Sequence, residues 1–248
     1  MHPPINKAAP SHHAGEDDMA LSQQWLERVG PALFPPQCAL AVQRYDSPDI
    51  LLPPPNDAAL NRAIEKRQRE FSAGRAAAAT ALSRLDVSDT VIAVGENRNP
   101  LWPDGIVGSI THTAGLAVAV VAQQKKILGL GLDLEPTEAV KEALWESLFN
   151  PTEIKWLSEK TREQQARWAT LIFCAKESFY KLQYPLTGQW VGFHEADVTV
   201  SIETGEFLLA CLQPRVIEKL SRTHFPGRFA SGPIFTLTAM HLEPAGKS

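Results

Sequence analysis

The spacing of apolar positions divides this chain into strand-like and helix-like stretches. Residues 129–136, GLGLDLEP, alternate leucine with glycine and then with two acids. A period of two predicts a strand, and it puts Asp133 and Glu135 side by side on one face. The run LAVAVVA at 116–122 is apolar throughout and predicts a buried strand. A further strand is expected in PPQCALAVQRYD after a proline-rich turn. Others are expected in ADVTVSIETGEFLLACL and PIFTLTAMHLE.

Helical spacing dominates two regions. Between about 58 and 85, Leu60, Ile64, Phe71, Ala78, Leu82 and Leu85 fall on one stripe at 100° per residue, with Asp57 as a capping candidate. Arg67 and Arg75 lie on that same stripe, each four residues from Phe71, whereas Arg62, Lys66 and Arg69 lie opposite. Gly74, near the stripe, costs the helix about 1 kcal/mol relative to alanine. From about 138 to 183 the pattern is helical again. NPTEIKWL has a helix start, with Asn150 or Thr152 as cap and Glu153 in the first turn, and RWATLIFCAKESFYKLQ is strongly apolar.

Helices and strands in both halves predict an α+β protein of two similar-sized lobes joined near 123–128. The division expected is 21–124 and 125–248, after a polar tail, 1–20, read as disordered. The 248 residues, 44% hydrophobic, allow a sizeable core. A formal net charge of -4 argues against a general nucleic-acid binder. No apolar run is long enough for a membrane span and no signal peptide opens the chain. Three scattered cysteines suit a reducing cytoplasm.

The chemistry concentrates in a few places. Two carboxylates on one strand face can share a proton, meet a cation, or both reach water at a strand end. A third acid, Glu177, lies in FCAKESFYK between Lys176 and Lys181, amid apolar neighbours. Burying these charges is costly unless they are paired or bind ions, and cation, acid and cation on one helix suit a phosphate-plus-metal site. In GSITHT, read as a turn before the core strand, His112 is either a satisfied core residue or a donor to an anion beside Ser109 or Thr111. Arg67 and Arg75 either snorkel from the apolar stripe or face something anionic on the buried side.

In combination these motifs resemble the phosphopantetheinyl transferases, in the two-lobed single-chain class and the branch of enterobactin synthetase component D. KRQREFSAGR, NRNPLWPDGIVGSITHT, GLGLDLE and FCAKESFYK are similar to that branch's motifs and follow its order from about residue 66 to 181. Phe173 stands where many members of the wider family carry tryptophan, and Thr111 where serine is common. The resemblance implies two pseudo-symmetric α/β lobes with the active site in the cleft between them. It implies transfer of the 4'-phosphopantetheine arm of coenzyme A to a serine of an apo acyl or peptidyl carrier protein, with release of adenosine 3',5'-bisphosphate.

By the same resemblance Asp133, Glu135 and Glu177 bind Mg²⁺. Glu177 is also the expected base, directly or through a water on the metal. Lys181, with Lys176, is expected to stabilise the phosphates. Arg67, Arg75, Arg98 and His112 are expected to hold the nucleotide phosphates with Ser109 and Thr111 nearby, and Glu153 to be supportive. A cytoplasmic monomer serving siderophore, fatty-acid or other carriers is the expectation. A Mg²⁺-dependent phosphohydrolase and a non-catalytic coenzyme A or carrier-protein binding module remain as alternatives.

Overall fold

A computed structural model describes residues 16–47, 49–51, 64–95 and 99–244 of the protein. These residues divide into two compact units, one running to Leu128 and rejoined by the chain from Glu243, the other formed by Gly129–Leu242. Helices and antiparallel sheets occur in both, so the protein is α+β.

The first unit opens with helix α1, Glu16–Val29, so the last residues of the stretch expected to be disordered form the start of a helix that buries Met19 and Leu26. Strand β1, Cys38–Arg44, helix α2, Glu65–Ser83, and a short pair, β2 (Ala93–Val94) and β3 (Pro100–Leu101), follow. Strands β4, Ile106–Thr113, and β5, Leu116–Gln123, complete an antiparallel sheet of order β1-β5-β4. Ala114 and Gly115, both at positive φ (42° and 90°), join β4 to β5 in a two-residue turn. That backbone twist matches antiparallel strands and is tolerated best by glycine.

Helix α2 lies on this sheet through small side chains. Ala77, Ala78, Ala81 and Leu82 cluster with Ala39, Ala41, Ala119 and Val121. The expected stripe is buried at Ala78 and Leu82 but not at its start, where Ile64 is 75% exposed and Phe71 only half-buried, so the buried face is shifted toward Ala73, Ala77 and Ala81. Ile64 is also the N-cap, in extended conformation, so the helix begins at Glu65 rather than near 58. Leu60 and the expected cap Asp57 lie outside the described residues.

The second unit carries β6, Gly129–Pro136, a short helix α3, Trp145–Leu148, and helices α4, Pro151–Ser158, and α5, Arg162–Thr187. Asn150 caps α4 as expected, its backbone N–H donating to the Glu153 carboxylate at 2.7 Å. Strands β7 (Ala196–Ser201) and β8 (Glu206–Cys211), helix α6 (Pro214–Leu220), and strands β9 (His224–Ser231) and β10 (Phe235–Leu242) follow. The antiparallel sheet has the order β6-β10-β9-β8-β7, and α5 lies along β6 and β10. Phe179 of α5 meets Phe225 of β9 with ring centroids 4.7 Å apart, and Trp168 meets Phe229 edge-on at 6.2 Å. Full burial of side chains of this size contributes about 1.5–3 kcal/mol each.

Candidate functional site

The alternation along β6 explains the glycines before the acids. Gly129, Gly131, Asp133 and Glu135 share a face, and that face lies under α5. A Cβ on Gly129 would stand 3.0 Å from Leu186, and one on Gly131 would overlap the Ser178 carbonyl oxygen. The helix backbone therefore rests directly on the strand, and the acids emerge where the glycines stop. Asp133 Oδ1 accepts from Lys181 Nζ at 2.7 Å, and the same ammonium donates to Leu132 O at 3.0 Å.

Asp133 and Glu135 are 4% and 5% exposed. Carboxylates so far from water require compensating positive charge and donors; Lys181 supplies one such charge to Asp133. Glu177, half-buried, precedes Lys181 by one helical turn and so projects from the same side of α5. Among the described residues no three of histidine, cysteine, aspartate and glutamate stand together as a ready-made metal cluster; the cation that Asp133 Oδ1 meets is an ammonium. The donor set itself, two hard carboxylates on one strand face at low solvent exposure, suits a hard divalent ion such as Mg²⁺, which takes one or two protein carboxylates and completes its shell elsewhere.

Lys176 is a correction. The expectation set it against phosphates, yet its ammonium is buried and all three N–H bonds are used. They reach Glu153 at 2.6 Å, Phe193 O at 2.8 Å and Leu148 O at 3.0 Å. Glu153, besides capping α4, accepts from Val198 N at 2.8 Å. Burial pushes the Glu153 carboxyl up and the Lys176 ammonium down, and each group's charge opposes the shift in the other. The pair joins α4, α5 and β7; it has no donor left for a ligand.

In the first unit Arg67 and His112 come together, Nη1 to Nε2 at 3.4 Å, with Glu70 3.3 Å from the same guanidinium nitrogen. Arg75 stacks on Phe71, 4.5 Å from the ring centroid. Among the described residues its buried Nε has no hydrogen-bond partner, and desolvation lowers its pKa to about 10, so it remains charged at neutral pH. A desolvated guanidinium with an idle donor is suited to receive an anion. Gly74 serves helix–strand packing, since a Cβ there would sit 3.0 Å from Ile110 Cγ2. GSITHT is not a turn but part of β4, which alternates: Ile110 and His112 face α2, while Ser109 and Thr111 are buried on the opposite face. Arg98 lies outside the described residues.

Sequence reasoning passed over the aromatic group beside Glu177. Tyr180, three residues on, stacks with Tyr184 at 5.1 Å and meets Trp190 edge-on at 5.4 Å. Burial, then the neighbouring Tyr184 and Glu177, pushes the Tyr180 phenol up to about 12, so it stays neutral beside the acid. The signal was present: 177, 180, 181 and 184 follow the i, i+3, i+4, i+7 pattern of one helix side.

Residues 56–122 match the model of the 4'-phosphopantetheinyl transferase N-terminal domain, and residues 129–225 that of the 4'-phosphopantetheinyl transferase superfamily. The chain is 37% identical to 4'-phosphopantetheinyl transferase Svp of Streptomyces mobaraensis, over 81% of this chain and 83% of that protein. It is 34% identical to 4'-phosphopantetheinyl transferase PptT of Mycobacterium tuberculosis, over 77% and 81% respectively. Enterobactin synthase component D of Salmonella typhimurium is 35% identical over 71% of this chain and 74% of its own length.

Proposed function

Because the chain belongs to the 4'-phosphopantetheinyl transferase family, we propose that it moves the 4'-phosphopantetheine arm of coenzyme A onto a serine of an apo carrier protein, with Mg²⁺ and with release of adenosine 3',5'-bisphosphate. One observation supports the chemistry above the others. The buried pair Asp133 and Glu135 lies on the strand face covered by α5, which brings Lys181 to 2.7 Å from Asp133 and carries Glu177 one turn earlier.

In this reading the serine Oγ bonds to the phosphorus that bears the pantetheine arm. The bridging P–O bond of the diphosphate breaks, and the bisphosphate leaves with its electron pair. Glu177 takes the serine proton. Lys181, whose ammonium is bonded to Asp133 and Leu132 O, donates its remaining N–H to the departing phosphate. Asp133, Glu135 and Glu177 would hold Mg²⁺, which when bound supplies positive charge to the diphosphate oxygens as charge develops on them. Arg67, Arg75 and His112 bind the nucleotide phosphates, assisted by Arg98; Ser109 and Thr111, buried on the other face of β4, support the strand that carries His112 rather than the phosphates.

No helix among the described residues is long and apolar enough to cross a membrane, and the protein is read as a cytoplasmic monomer. The similarity to enterobactin synthase component D supports carriers of siderophore assembly as the first substrates to try.

The test is mass spectrometry of an apo carrier protein after incubation with this protein, coenzyme A and Mg²⁺. A gain equal to the phosphopantetheine arm, on the carrier serine, is expected. Bisphosphate released with no gain in carrier mass would instead identify a phosphohydrolase. Tight coenzyme A binding with neither product would identify a binding module.

A further inference from the structure

Glu177 stands between two neighbours that are each pinned to a different part of the second unit. Lys176, before it, is bound to Glu153 and to the carbonyls of Leu148 and Phe193. Ser178, after it, is fully buried, and its hydroxyl lies 2.7 Å from Thr238 Oγ1, also fully buried. The same hydroxyl is 3.3 Å from Thr238 O. Thr238 is the residue directly opposite Asp133 in the β10–β6 ladder. One buried hydroxyl contact therefore ties the residue next to Glu177 to the residue across from Asp133.

Apolar contacts between helix and sheet resist separation but are weakly directional. A hydrogen bond fixes both distance and angle, and leaving its buried groups unpaired costs about 1–3 kcal/mol. Gly131 makes the contact possible, because any side chain there would push away the helix backbone at Ser178. A rotation or slide of α5 that carried Glu177 away from the strand acids would break this bond.

We propose that the Ser178–Thr238 hydrogen bond is a positioning device that sets the placement of Glu177 relative to Asp133 and Glu135 for divalent-cation binding. Neither Ser178 nor Thr238 touches substrate; they act through the helix and strand that carry the acids. The inference rests on the metal-binding reading above.

The experiment uses Mn²⁺ as probe and titrates it into the full chain, with the free ion followed by electron paramagnetic resonance. Thr238→Val keeps the side-chain shape and removes the hydroxyl; it is expected to weaken Mn²⁺ binding about tenfold, the scale for loss of an outer positioning group at a metal site. Thr238→Ser is expected to restore wild-type binding, and Ser178→Ala to repeat the loss from the helix side. All are compared where circular dichroism shows a folded chain, so failure of one variant to fold leaves the other to decide. Unchanged affinity in Thr238→Val or in Ser178→Ala overturns the proposal, as does a Thr238→Ser loss equal to that of Thr238→Val. Wild-type binding no tighter than that of Asp133→Ala would overturn the metal reading itself, and this inference with it.

Discussion

Gly131 of β6 and Ser178 of α5 touch backbone to backbone: a single carbon added to the glycine would overlap the serine carbonyl oxygen. Gly131→Ala is therefore expected to lower stability by about 1–3 kcal/mol, the usual cost of overpacking. Gly129→Ala, where the nearest atom is the flexible tip of Leu186 at 3.0 Å, is expected to cost less. Urea unfolding midpoints check the order, and equal midpoints would contradict the proposed approach of helix to strand.

Asp133→Ala removes both the partner of Lys181 and a proposed metal ligand. Turnover is expected to fall at least about 100-fold, the scale of a lost electrostatic stabiliser. Near-normal carrier modification at limiting Mg²⁺ would remove Asp133 from the metal site.

Lys181→Ala is expected to slow transfer while costing less stability than the loss of Lys176, because its side chain is 27% exposed and water can reach the end that pairs with Asp133. Thermal unfolding and single-turnover transfer measure the two effects separately. Unchanged turnover would reduce Lys181 to a salt-bridge partner of Asp133.

Lys176→Met should act on folding instead. Removing one partner of a buried ion pair costs about 3–5 kcal/mol, and a Glu153→Gln change in the same chain is expected to recover part of it. Burial already raises the Glu153 carboxyl pKa against the opposing effect of Lys176, so without the lysine it rises further. A carboxyl raised on folding adds stability below its unfolded pKa and loses that contribution as pH climbs through the folded one. The variant is thus expected to be more stable, relative to wild type, in mildly acid than in mildly alkaline buffer. The opposite trend in denaturation would count against a buried, unpaired Glu153.

Arg75→Ala is expected to weaken coenzyme A more than the same molecule lacking its 3'-phosphate. Arg75→Lys is not expected to rescue it, because an ammonium cannot reproduce the planar stack on Phe71. Calorimetric titration of both nucleotides decides the matter; an equal loss for the two would rule out a contact to the 3'-phosphate.

The strand carrying Asp133 and Glu135, the apolar strand at 116–122 in the first unit, and the helix with Glu177 were legible because period and burial coincide there. Helix α2 was misjudged for a physical reason. Large apolar residues were taken as the buried ones, but the sheet beneath presents Ala39, Ala41 and Ala119, and a helix lying that close buries alanines and leaves Phe71 half-buried. Lys176 was misassigned because its partner, Glu153, lies 23 residues away on another helix, a pairing no local pattern reveals. The opposed faces of Ser109 and His112 were available from strand alternation once GSITHT is read as strand rather than turn. Tyr180 required only that the helix be read one position at a time.

The alanine seam beneath α2 leaves no slack. An enlarged residue at Ala77 or Ala81 would act as a wedge under the helix, tilting away the column that bears Arg67 and Arg75 while touching neither. The proposed grip on an anion would therefore be retuned from the far side of the helix, by methyl groups hidden from solvent.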